Sequence, residues 1–486
     1  MSDSTLSAPR KTRLRASLYR GTLPRLKAET HLSAAAFNIV LLAVITEFCV
    51  SANTLAVLGI IDGQPGGNPF LKFAPGTYLA IFAAIVSIFG GPSSGRRISL
   101  LFSRAPALIF FIMSILFCMV FSAINVGITG VGVYVDTYLS AGALAVTMVN
   151  ASDRQRRVLA RMVLALCLIN VVLSLAEYVH QDHIIPLEVN SKPVTDTASE
   201  EFRPAALYGH PLTGAMTTSF AVFLVLSLGL RYKTTAILFA AFAVGLLGFG
   251  GRAALGVTVA VLVLSTILTF VRDFMRGRVN SRLLMTVLLS VSVLGPLGVV
   301  LMTATPIGER LSARAYYDDS AEVRAKQWLV LDKLTPSQAM FGTPSANLEQ
   351  IYEQVGLIGV ENPFILIFLN LGIIGLPIFA AALMAYFVYL RHVYPASGWL
   401  LLAAILILSS SNSIGVKGPD LFLMTACAVT MSGRTGQRAV QAGKALRQPI
   451  IRYLRPILTT EIQPAKAGAA FGSSYRRLSP GVLPRK

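Results

Sequence analysis

Three short polar stretches interrupt an otherwise apolar chain, and each offers groups that bind anions or move protons. They run Phe202-Arg203-Pro204-Ala205-Ala206-Leu207-Tyr208-Gly209-His210-Pro211, then Gly248-Phe249-Gly250-Gly251-Arg252-Ala253-Ala254-Leu255, then Gly356-Leu357-Ile358-Gly359-Val360-Glu361-Asn362-Pro363-Phe364. In the second, glycines let the backbone turn tightly and approach a ligand, while Arg252 presents a planar fork of donors matched to phosphate oxygens. The plainer use of an arginine there is to lie along hydrocarbon and snorkel to water. Glu361 is a candidate acceptor for a hydroxyl proton. Asn362, ahead of Pro363, reads equally as a helix cap with proline at the first helical position. His210 has two readings as well: orienting or deprotonating a hydroxyl, and bonding a loop carbonyl.

Other ionisable residues sit where they are costly. Glu47 and Asp136 fall inside apolar blocks, where such side chains usually face a polar interior or cavity. Each is expected to pair with a cation from another segment or to line the path of an amphipathic substrate. His180 and His183 have no third ligand at a suggestive spacing. Cys49, Cys118, Cys167 and Cys427 all lie in apolar segments without disulfide or zinc spacing. No metal and no cofactor is expected.

The elements that must position these groups are membrane helices. The 486 residues are 54% hydrophobic and 13% charged, against about 25% charged in soluble domains, and the mean hydropathy is +0.65. Apolar blocks of roughly 20 residues, each long enough to cross a bilayer, follow one another nearly end to end. They place spans at 34–56, 73–90, 105–124, 130–149, 159–178, 211–230, 234–250, 253–271, 283–302, 363–389, 396–412 and 419–433. The expected fold is all-α and polytopic, with about 12 transmembrane helices.

A net charge of +19 would point to nucleic acid in a soluble protein. Here the position of the charges matters more. Arg10, Lys11, Arg13, Arg15, Arg20, Arg25 and Lys27 precede the first span, and eleven Lys or Arg follow residue 433 against one acid, Glu461. Such flanks are expected on the cytoplasmic side. With the N-terminus inside, the short basic loops around Arg96, Arg154, Arg231 and Arg276 also fall inside. No nucleic-acid-binding module accompanies the charge, so nucleic acid is not an expected partner. The first apolar run begins near residue 34 and reads as a span rather than a cleavable signal.

The chain thus divides into a basic segment 1–33, a multispan domain 34–433 and a basic tail 434–486. Segment 439–457 of the tail reads as either an inner-surface amphipathic stretch or a solvated topology signal. Two long outer loops, 179–210 and 303–362, carry the candidate chemistry, the second lying before the tenth span. An amphipathic helix is expected over Asp319–Leu331 and a short interfacial one over 349–358. Neither a discontinuous span nor an inverted repeat is apparent.

Three local patterns, in this order and on one side, resemble the O-antigen ligase and O-antigen polymerase superfamily, including bacterial exopolysaccharide polymerases. Gly251-Arg252-Ala253-Ala254-Leu255 is similar to its Ser-Arg-small-small-Leu element. The stretch from Asp319 to Trp328, followed by Phe341-Gly342, resembles its loop segment where an arginine precedes a tryptophan. Glu361-Asn362-Pro363-Phe364 through Gly372-Ile373-Ile374-Gly375-Leu376 resembles its His-Asn element entering a glycine- and leucine-rich helix. Gly251 stands where that pattern has serine, and Glu361 where it has histidine.

The resemblance implies an inner-membrane glycosyltransferase with both termini cytoplasmic. Its substrates would be oligosaccharides on undecaprenyl diphosphate, and its partners membrane lipids, a flippase and a chain-length regulator. Arg203, Arg252, Arg314 and Arg324 would bind the diphosphate and Asn362 a sugar hydroxyl, with Glu361, His210 and Arg252 as catalytic groups. The reaction would invert the anomeric centre and need no metal. A ligase moving the glycan to lipid A core, or a transporter using Glu47 and Asp136 for ion coupling, are the alternatives.

Overall fold

The computed structural model describes residues 32–60, 73–91, 93–186, 188–189, 192–193, 202–277, 326–357, 359–360, 362–410 and 414–431. The expected ninth span, both basic termini, Arg314, Arg324 and Glu361 lie outside the described residues, as does most of the expected helix over Asp319–Leu331.

The described chain is helical apart from one antiparallel pair, Glu188–Val189 with Lys192–Pro193. In order come α1 (Ala34–Cys49), α2 (Ala52–Val57), α3 (Pro75–Phe89), α4 (Ser94–Arg104), α5 (Pro106–Asn125), α6 (Val131–Met148), α7 (Asp153–His180), α8 (Pro211–Leu228), α9 (Tyr232–Gly248) and α10 (Arg252–Met275). After these come a 3-10 turn (Gln327–Lys333), α11 (Pro336–Phe341), α12 (Ser345–Val355), α13 (Pro363–Val393), α14 (Gly398–Ser409) and α15 (Asp420–Thr430).

Among the described residues six helices, α5, α6, α7, α8, α10 and α13, are long and apolar enough to cross a membrane. The pair α3 and α4, bent by 111°, makes a seventh if counted as one span. α1, α9, α14 and α15 are apolar but shorter than the roughly 20 residues that a perpendicular crossing takes. Many large side chains point outward: on α10, Val259, Val263, Leu264, Ile267 and Leu268 are each 42–52% exposed. An apolar surface of that extent is stable against lipid and not against water. The protein is a helical membrane protein.

α15 lies at the centre. All of its residues are buried, and α6, α7 and α8 pack around it. The first expected span breaks after α1 because Ser51 starts a new helix: its hydroxyl accepts from Thr54 N–H while the Thr54 hydroxyl accepts from Ser51 N–H.

The sequence shows no discontinuous span, yet α13 is one. Gly372 has φ +59° and ψ −173°, outside the helical region. A Cβ there would lie 2.2 Å from the Met340 carbonyl oxygen, so the end of α11 occupies the break and only glycine fits. Nearby, Thr343 N–H donates to the Leu369 carbonyl at 2.7 Å. α12 takes in 349–355 of the helix expected over 349–358 and stops at Gly356, whose φ is +71°, and with the 3-10 turn and the start of α13 it forms a small separate apolar cluster of Val330, Ile351, Leu357, Val360, Ile365 and Leu369. In that turn Gln327 and Val330 are buried and Trp328 is exposed.

Candidate functional site

A cavity of about 240 Å³ lies where the end of α1 meets the beginnings of α3, α6, α8 and α15. Its charged and polar lining includes Glu47, Asn53, Asp136, His210, Lys417 and Asp420.

One wall follows from a local irregularity. Residues Tyr134–Leu139 of α6 form a π turn, a wider winding than the α-helix that recurs at functional sites. Three consecutive side chains there grip the non-helical stretch before α15. Tyr138 hydroxyl donates to the Ile414 carbonyl. Thr137 hydroxyl donates to the Val416 carbonyl at 3.1 Å and accepts from Gly418 N–H at 3.1 Å. Asp136 pairs with Lys417 Nζ at 3.2 Å. Irregular backbone within a membrane protein survives when its polar groups are satisfied this way and line a cavity. Gly415 lets Leu366 of α13 close behind it, since a Cβ would meet the Leu366 side chain at 2.7 Å.

The carboxylates differ in their surroundings. Asp136 accepts from Ala74 N–H, 3.2 Å from each oxygen, in addition to its lysine. Glu47 is 7% exposed and accepts from the Thr77 hydroxyl at a long 3.4 Å. Its stem lies against Gly76, where a Cβ would be 2.5 Å from Glu47 Cγ. The expectation that Glu47 and Asp136 meet a polar interior holds, and Asp136 has its cationic partner. That partner, Lys417, is the residue the sequence reading passed over. Its one signal is a lysine flanked by Gly415, Gly418 and Pro419 at the mouth of an apolar block.

His210 caps α8: Nδ1 accepts from Leu212 N–H at 3.2 Å. This differs from the expected bond to a loop carbonyl. Crowding by surrounding protein, with the Arg203 charge as second cause, holds its pKa below that of a free imidazole. The neutral ring has one N–H, and with Nδ1 accepting, that hydrogen is on Nε2. His210 therefore donates to a ligand more readily than it takes a proton.

The loop that carries Arg203 and His210 is moored by a buried acid. Glu177 of α7 is 1% exposed, and its oxygens accept from Ile184 N–H at 2.9 Å, Ala205 N–H at 2.7 Å and Ala206 N–H at 2.8 Å. Asn170, one face of α7 deeper, accepts from Leu207 N–H at 3.1 Å. Neither was singled out from sequence. A glutamate and an asparagine seven residues apart on an apolar helix were the available signal.

Arg252 opens α10 directly behind this loop. Phe249 packs its ring over Gly214, and Gly251 packs so tightly on Ala215 that a Cβ would fall 2.3 Å from the alanine's Cβ. The glycine found in place of a serine thus has a packing cause. Arg203 and Arg252 are both half-buried. Arg203, His210 and the start of α10 are brought together around the first turn of α8. Asn362 stands apart from the cavity lining: Oδ1 accepts from Phe364 N–H at 3.0 Å and Ile365 N–H at 3.3 Å, and its own N–H donates to Gln327 Oε1 at 2.9 Å. It is a helix cap. Among the described residues no cluster of three or more His, Cys, Asp or Glu could hold a metal ion.

Comparison of the chain with family models, curated proteins and solved structures finds no match.

Proposed function

We propose that this protein is an inner-membrane polysaccharide polymerase with about 12 spans and cytoplasmic termini, joining undecaprenyl-diphosphate-linked repeat units by glycosyl transfer at the periplasmic face. The observation that carries the reading is the single cavity at which Glu47, Asp136, Lys417 and His210 converge, with Arg203 acting on His210 and Arg252 at the adjoining helix start. Supporting it, the ends of α1, α3, α6, α8 and α15 gathered there are the ones that the charge bias assigns to one face of the membrane.

In this reading Arg203 and Arg252 hold the diphosphate at the cavity rim. As the bond between anomeric carbon and phosphate oxygen lengthens, negative charge builds on the leaving group. Fixed guanidinium donors stabilise it more than they stabilise the ground state. His210, through Nε2–H, orients a sugar hydroxyl. Arg314 and Arg324 keep the diphosphate-binding role that the family resemblance implies. The products are a longer lipid-linked glycan and free undecaprenyl diphosphate.

Depleting the protein should make single lipid-linked repeats accumulate and polymer fall, and Arg252→Ala should reach the membrane without restoring polymer. Full polymer with Arg252→Ala would remove the arginine from the mechanism. Normal polymer that stays unattached to lipid A core would select a ligase.

The irregular stretch 414–418 and the Asp136–Lys417 pair favour a second reading, since transporters bind substrate and coupling ions at broken helices. Proton or sodium uptake driven by a solute gradient in vesicles holding the purified protein, with no lipid-linked sugar present, would establish it.

A further inference from the structure

Resting on the glycosyl-transfer reading, we infer that Glu47 takes the proton from the attacking sugar hydroxyl, and that the cavity floor beside it is the acceptor subsite. The cavity offers four titratable groups able to accept a proton: Glu47, Asp136, His210 and Asp420. Two are committed to other groups, and the third is the weaker base because of where it stands. Both Asp136 oxygens face Ala74 N–H, and Lys417 Nζ lies 3.2 Å from one of them. His210 Nδ1 holds the cap of α8. Asp420 occupies the first turn of α15, where the positive end of the helix favours its negative charge. Glu47 has, among the described residues, one long hydrogen bond, from Thr77. Its remaining lone pairs are available to a ligand.

Its position is fixed without being spent. Gly76 and Thr77 of α3 press on one side of the side chain, and the carboxylate stands at the cavity wall. An acceptor sugar seated there directs one hydroxyl at Glu47 while Lys417, Asn53 and His210 stand around its other polar groups. In the step, the hydroxyl oxygen forms the bond to the anomeric carbon. The bond from that carbon to the phosphate oxygen breaks with its electron pair leaving on the diphosphate, and the hydroxyl proton moves to Glu47. Two carboxylates in one cavity thereby divide the work: Asp136 fixes the wall and Glu47 handles the proton.

The test uses full-length protein in lipid nanodiscs and the lipid-linked repeat unit isolated from cells depleted of this protein. Wild type should give dimers and longer products; if it gives none, the polymerase reading itself fails, whatever Glu47 does. Glu47→Gln keeps shape and the Thr77 hydrogen bond, so a purely structural Glu47 would leave turnover unchanged. The expected result is a fall in kcat of at least about 100-fold, with binding of the lipid-linked unit, measured by native mass spectrometry, within about threefold of wild type. Turnover within threefold of wild type would overturn the inference, as would parallel loss of binding and turnover. Should Glu47→Gln fail to fold, Glu47→Asp keeps the charge but withdraws it by one methylene. It is expected to lose about 10-fold or more in kcat with binding intact, and full activity would again overturn the inference.

Discussion

The cavity region and the region from Gln327 to Gly372 both combine charge-poor helices with isolated polar residues, but they use those residues differently. Around Gln327–Gly372 the polar groups close the fold on itself. Asn362 caps α13, Gln327 accepts the Asn362 N–H, and Thr335 with Gln338 forms a capping box at α11. In the cavity region Glu47, Asp136, Lys417 and His210 meet across three different helices and the stretch before α15, and they face open space. Satisfied caps cost the fold nothing to keep. In the shared cavity a buried charge depends on its partner's staying, and that makes this region the more fragile one.

That contrast predicts a graded series of stabilities. Lys417→Met should be the most damaging, because it strands Asp136, whose side chain is 4% exposed. Breaking a buried pair costs roughly 3–5 kcal/mol, and the 28% exposure of the lysine places this one near the lower end. Asp136→Asn in the same chain should recover part of the loss. Cys118, Cys167 and Cys427 are buried, so reaction with a thiol-specific dye during heating reports the unfolding. If Lys417→Met melts like wild type, the pair is not holding the π turn to the stretch before α15.

Next comes Gly251→Ser, which installs the residue that the resembling pattern carries. A Cβ 2.3 Å from that of Ala215 forces α8 and α10 apart, an overpacking cost of about 1–3 kcal/mol. Ala215→Gly should relieve it. An undamaged single variant would show that the crossing is looser than its contacts imply, and would return the glycine to a ligand-approach role.

The parts legible in sequence are those set by local composition. Apolar runs announce helices wherever they fold, and described helices cover every expected span except 283–302, though α1, α9, α14 and α15 are shorter than a full crossing. Asn362 is legible as a cap because it precedes a proline, a signal that His210 shares although its cap was not among the expectations. What escaped depends on partners distant in the chain. Lys417 means little until α6 brings Asp136, 281 positions earlier by the Thr137–Gly418 bond beside it, into reach. Gly372 looks like any small residue in a glycine-rich helix until the Met340 carbonyl occupies the place of its side chain. Glu177 matters only through the three backbone N–H groups it collects from a loop.

The two caps then divide the regions at the scale of about 1 kcal/mol. Asn362→Ala removes two accepted N–H bonds and should cost about 1 kcal/mol, with turnover unchanged because Asn362 lies away from the cavity. Loss of turnover without loss of stability would give its amide the sugar-binding role that the resemblance implies.

His210→Asn should cost the fold least, since asparagine is itself a strong N-cap, while removing the imidazole Nε2–H. The pH dependence separates cap from ligand group. The histidine's pKa is held below its unfolded value of about 6.5, so the unfolded chain takes up the proton first as pH falls. The contribution of His210 to stability is then complete above about pH 6.5 and is lost as pH drops through the lower folded value. Protonation puts a hydrogen on Nδ1 and breaks the bond from Leu212 N–H. Wild type should therefore lose melting temperature between pH 7 and 5 by more than His210→Asn does. If the two fall in parallel, the acid sensitivity belongs to other groups, and His210 is a ligand-facing residue whose cap contributes little.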